Sequence, residues 1–157
     1  FANLKGLAER VLDKQQRRIE ALARFGSVDD VFATLAQEQF CMDVLAPVPV
    51  ASGAWGSIDQ AQANAAFAQH PDMVPHTLAD CLHELEYWDA LYRLRHGWDA
   101  GDELPEVYAR RCYLDSHCLS TIRPKSRAEA IAVLRFMAKN EMFDRSETDA
   151  VLENLVG

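Results

Sequence analysis

The stretch TLADCLHELEYWDALYRLRH, residues 77–96, decides the fold. Thr77 followed by Asp80 is a helix-capping arrangement, and Gly97 is a natural stop. At about 100° per residue, Trp88, Cys81, Tyr92, Leu85, Leu78 and Leu82 share one arc, which also contains Asp89 and His96. Tyr87, Leu91, Leu94, Ala90 and His83 form a second, weaker apolar face. A helix that is apolar on two sides sits inside a bundle.

The same period continues outward. Downstream, Pro105 suits the first position of a helix over about 104–120. Ser126 with Glu129 forms a capping box for a nearly all-apolar helix over 127–140. Ser146 with Asp149 opens a short last helix through Val151, Leu152 and Leu155. Upstream, Leu4, Leu7, Val11, Leu12, Ile19 and Leu22 give residues 3–25 an apolar stripe expected to face the core. Gly26 and Ser27 then stop one helix and cap the next. That second helix is expected to bury Val28, Val31, Phe32, Leu35, Met42 and Leu45. Ser57 can cap an Ala-rich helix reaching about His70. Between them, residues 46–56 (APVPVASGAWG) forbid a helix through Pro47 and Pro49 and are unusually apolar for a loop. No segment reads as a strand. The expected fold is all-α: one compact helical bundle of about seven helices, a single domain over residues 1–157, with antiparallel neighbours and no β-sheet.

Two places stand out as candidate sites. Trp88, Tyr92 and His96 are four apart and form an aromatic ladder, with Trp98 near its end and Asp89 beside it. Such a wall suits a flat, apolar or aromatic ligand, with Asp89 and His96 as polar anchors. Ordinary core packing competes with that reading: Asp89 can pair with Arg93, and His96 can satisfy the last helix carbonyls. The second place is the loop, where Val48, Val50 and Trp55 make a candidate interface.

Catalytic and metal signatures are missing. The string HELEY at residues 83–87 falls short of the zinc-protease H-E-x-x-H pattern because position 87 is Tyr. Its first residues resemble the phospho-accepting box of sensor histidine kinases. The proline of that box is replaced, with Trp88 near its place, so no role is carried over to His83. Cys112, His117 and Cys118 lie close in sequence, but 112 and 118 would project from opposite sides of one α-helix. No phosphate-cradling glycine loop and no nucleophile elbow occurs. No metal and no cofactor is expected.

Charge removes another class. Lys plus Arg number 16 against 24 Asp plus Glu, a net charge of −8. Nucleic-acid binding needs clustered cations to release counterions, and the short basic clusters here stand among acids. No apolar run approaches a membrane span. Cys41, Cys81, Cys112 and Cys118 form no C-x-x-C pair, and no signal peptide is legible, so four reduced thiols in a cytoplasmic protein are expected. The expected role is therefore non-enzymatic: a regulatory or adaptor protein that binds a protein partner and self-associates. The alternative is a bundle that binds or senses a small molecule through the aromatic pocket, and an enzyme of unrecognised type comes third.

Overall fold

The computed structural model describes residues 2–50, 57–99 and 102–157. The chain folds as an all-α helical bundle. Its helices are α1 (Ala2–Phe25), α2 (Val28–Phe32), α3 (Ala36–Leu45), α4 (Gln60–Ala68), α5 (Leu78–Arg95), α6 (Pro105–Cys112), α7 (Leu119–Thr121), α8 (Arg127–Lys139) and α9 (Thr148–Val156). Among the described residues no strand forms beyond one isolated antiparallel bridge, which joins Val50 to Ile58 across the proline loop.

Helix α5 is the central element. Leu78, Cys81, Leu82, Leu85, Trp88, Leu91 and Leu94 are all buried. The core continues through Cys41, Phe67, Val107, Leu114, Leu119, Val133 and Val151, so α3, α4, α6, α8 and α9 share one apolar interior. Thr77 caps α5 by accepting from the Asp80 N–H, as the sequence predicts. Glu129 of α8 takes a second free donor there, the Ala79 N–H, at 2.9 Å, which fixes α8 against the head of α5.

Several sequence expectations need correction. The helix expected to run on from Val28 breaks at Ala33–Leu35. Glu38 accepts from the Leu35 N–H at 2.8 Å and so starts α3 afresh. Arg95, from the end of α5, donates to the carbonyls of Val31 and Ala33 that the break leaves open. It also reaches Glu38 at 2.5 Å. Backbone groups unpaired by a helix break need such partners, and a charged pair supplies them at once. Val28 and Phe32 consequently point outward. Asp59, not Ser57, caps α4. No side chain caps α9, which starts at Thr148 after Glu147. Helix α8 buries Val133 and Met137 only, and its other face is solvated.

Helix α1 departs furthest from expectation. Leu4, Leu7, Val11, Leu12, Ile19 and Leu22 are not core residues; they are exposed, from 39% at Leu22 to 68% at Leu4. The face that does touch the body carries Ala21 and Phe25, packed with Val31, Leu94 and Trp98. Polar straps reinforce it. Lys14 pairs with Asp99, Arg93 with Glu20 at 2.6 Å, and Arg18 donates to the Gly97 carbonyl at 2.5 Å. The helix backbone passes so close to Gly97 that a Cβ there would stand 3.2 Å from the Arg18 nitrogen. Among the described residues, every polar link from α1 to the body starts at Lys14 or later. The side chains from Asn3 to Asp13 are exposed apart from Gly6. The first half of a helix about 36 Å long thus projects from the bundle.

Candidate functional site

The structure does not gather the aromatic ladder into one wall. Trp88 turns inward and is buried, and its indole N–H donates to Glu84 at 3.1 Å. Tyr92 turns outward and packs on His96, ring centroids 3.9 Å apart. His96 Nδ1–H donates to the Tyr92 carbonyl at 3.0 Å, a helix-end role that the spacing allows. Trp98 lies on the opposite side, edge-on to Phe32 and beneath the Arg18 guanidinium. Asp89 is exposed and stands 3.9 Å from Arg111; Arg93 is committed to Glu20 instead.

Two of these residues, Asp89 and Tyr92, do meet at a cleft between α5 and α6. Its volume is about 590 Å³, and Gln60, Glu103, Tyr108 and Arg111 also line it. Glu103 holds Arg111 with two bonds of 3.0 and 3.1 Å. The cleft is open and mixed in polarity, lined by the phenols of Tyr92 and Tyr108 and by the guanidinium that Glu103 holds.

The neighbouring node is Arg110, which is 1% exposed. Its guanidinium donates to both oxygens of Glu84, at 2.7 and 2.8 Å, and to the Met73 carbonyl at 2.6 Å. Phe40, Phe67 and Tyr113 place their rings 5.1 to 5.9 Å from it. Burial works against its charge, yet the Glu84 hydrogen bonds and charge hold its pKa above the ordinary value. Its Nη1 has no hydrogen-bond acceptor among the described residues. An apolar hollow of about 280 Å³, lined by Phe40, Cys41, Met73, His83, Tyr87 and Trp88, opens beside Glu84. The sequence reading missed this node, although Glu84 lies in the very stretch that decided the fold. A Glu one turn from a buried Trp was the available signal.

Of the expected loop interface, Val50 is well exposed and Val48 is half-buried against the core. Trp55 lies outside the described residues. Among the described residues, six exposed large aliphatic side chains belong to α1, which the sequence reading assigned to the core.

The thiols are enclosed. Cys41, Cys81 and Cys118 are buried and Cys112 is half-buried. Burial pushes the Cys41 thiol up to about 12. Among the described residues no three or more His, Cys, Asp or Glu gather as metal ligands. No helix there is long and apolar enough to cross a membrane.

No family model, curated protein or solved structure matches the chain.

Proposed function

We propose that this chain works without catalysis, as a cytoplasmic regulatory or adaptor protein that binds protein partners, itself included. The outer face of α1 is its principal docking surface. One observation carries the reading: six large aliphatic side chains stand exposed along a single helix, and every described side chain of its leading half from Asn3 to Asp13 except Gly6 is exposed. Contiguous apolar surface of this kind marks interaction sites, because leaving it in water forgoes the free energy of its burial. Val50 adds a smaller apolar point on the proline loop.

A photo-crosslinking amino acid at position 11, compared with one at the exposed Gln39 on α3, tests this in cells. The expected result is crosslinked polypeptide at position 11 well above the level at position 39. Equal or no crosslinking at position 11 would end the reading.

The α5–α6 cleft supports a second reading, a small-molecule site. Its volume lies within the range of ligand pockets, and Tyr92, Tyr108 and Arg111 offer stacking and charge. Native mass spectrometry of protein purified without added ligand checks it. A retained extra mass that disappears in Arg111→Ala would favour a ligand, and a clean chain mass would count against one.

A further inference from the structure

We infer that α1 pairs with α1 of a second copy, antiparallel, about a two-fold axis passing beside Asp13. The inference rests on the docking role given to α1 above and names its occupant.

The stripe is self-complementary. Leu4, Leu7 and Val11 precede Asp13 by nine, six and two residues, and Gln15, Ile19 and Leu22 follow it by two, six and nine. Turned end for end, the face matches itself at its aliphatic ends: Leu4 meets Leu22 of the other copy and Leu7 meets Ile19, while Val11 meets Gln15 and Leu12 falls level with Lys14, to one side of the seam. A two-fold contact requires one patch that complements itself, and an antiparallel helix pair satisfies this only when its stripe is symmetric about the middle. The repeat of Leu4, Ala8 and Val11 as Gln15, Ile19 and Leu22 is eleven residues long, so the stripe drifts by only about 20° from one repeat to the next. Asp13 faces away from the seam and is held by Arg17 at 2.9 Å.

Architecture points the same way. Residues 3–13 project without tertiary support and include Gly6, and an isolated helix of that length is marginal in water. Antiparallel pairing lays each projecting half along the anchored half of the other copy. It also carries Lys5 and the positive end of α1 toward Asp29 and Asp30, exposed carboxylates just past the other helix's end. Charge favours a protein occupant over an anionic lipid surface. Residues 3–13 hold Lys5 and Arg10 against Glu9 and Asp13, which sum to zero. The helix's surplus cations lie in its second half, where Lys14, Arg17 and Arg18 are already engaged. A stable interface needs about 800 Å² per partner. The five aliphatic residues of the seam supply a few hundred Å² of that, with Ala8 and Gln15 adding to it.

Sedimentation of the full chain over a concentration series, with cysteine crosslinking, tests the pairing. The expected mass is that of a dimer, twice the 17.6 kDa of the chain, and Leu7→Glu with Val11→Glu should weaken it by about 100-fold or more, the Leu7–Ile19 contact being lost twice at roughly tenfold each. Near-UV circular dichroism of that variant should keep the wild-type signal, since both residues lie outside the core. In a Cys112→Ser background, mixing Leu4→Cys protein with Leu22→Cys protein should give a disulfide between them, whereas Leu4→Cys alone should give none with itself. A Leu4→Cys self-disulfide would overturn the antiparallel arrangement. A monomer at every concentration would overturn self-pairing. If position 11 still crosslinked another polypeptide, the docking role of α1 would survive; if it did not, both readings would fall.

Discussion

Arg110 shows how one side chain can organise a core. It is fully enclosed, doubly bonded to Glu84 and ringed by three aromatic side chains. Removing one partner of such a pair leaves a charge without compensation, so Arg110→Ala should cost about 3–5 kcal/mol of stability. Glu84→Gln keeps the shape and some of the bonds and should cost roughly 1–2 kcal/mol. Urea denaturation of both variants measures the difference, and equal losses would mean that the charge pairing, not the packing of the Arg110 side chain, dominates there. Asp115 acts in the opposite sense. Burial raises its carboxyl pKa despite the Arg145 guanidinium at 3.0 Å. A raised acid contributes stability that is complete below its unfolded value and lost as pH rises through the folded one. Asp115→Asn should therefore match or exceed the wild type in urea midpoint at neutral pH, with the gap closing below about pH 4. A variant clearly less stable at pH 7 would assign the larger role to the Arg145 bond. The thiols permit a simpler check: a soluble disulfide reagent at pH 8 should label Cys112 slowly and the other three only after unfolding.

At the level of elements, α1 is held by a close backbone approach and a few exposed ion pairs. Gly97→Val would drive a side chain into Arg17 and Arg18 and should loosen the anchored half at a cost of about 1–3 kcal/mol. Hydrogen exchange should then rise across residues 14–25 while α5 stays protected; unchanged protection would show that the contact yields without cost. The carboxyls of Glu20 and Asp99 are held below their ordinary values by hydrogen bonds from Arg93 and Lys14. Their contribution to docking is present above the usual carboxylate range and disappears as pH falls through the lowered values. Fluorescence of Trp98, which lies beneath Arg18, should report that release in acid. Elements also show where the sequence was readable. Thr77, Ser126 and Gly26 carried their own punctuation because capping and stopping are local effects. The break before α3 was not legible, since Arg95, some sixty residues away, is what satisfies it. The stripe of α1 was legible as a stripe; periodicity identifies a face but cannot say what the face meets.

Taken whole, the molecule has an uneven charge distribution. The six basic residues of α1 outnumber its three acids, while the rest of the chain has ten against twenty-one, so a helix of net +3 sits on a body of net −11. The all-α class and the buried faces of the central helix α5 followed from helical periodicity alone, whereas the stripe of α1 was assigned to the core by the same rule and lies outside it. The candidate site did not, because the cleft and the Arg110 node join residues from helices far apart in sequence, and no single segment records that meeting. Between α6 and α7 the helix is wound more widely, as a π-helix over Tyr113–Cys118. Such a segment carries one residue more than α winding would use. Losing that residue would restore an ordinary α turn and leave the helices on either side in their present register, because the wider winding absorbs it. Losing one from the α-wound stretch beside it would instead swing one side by about 100° and take either Val107 and Arg110 or Leu119 out of the interior. Where a deletion falls thus decides what it costs: in any relative of this chain, loss of one residue between 113 and 118 should need no compensating insertion, whereas loss of one within α6 should.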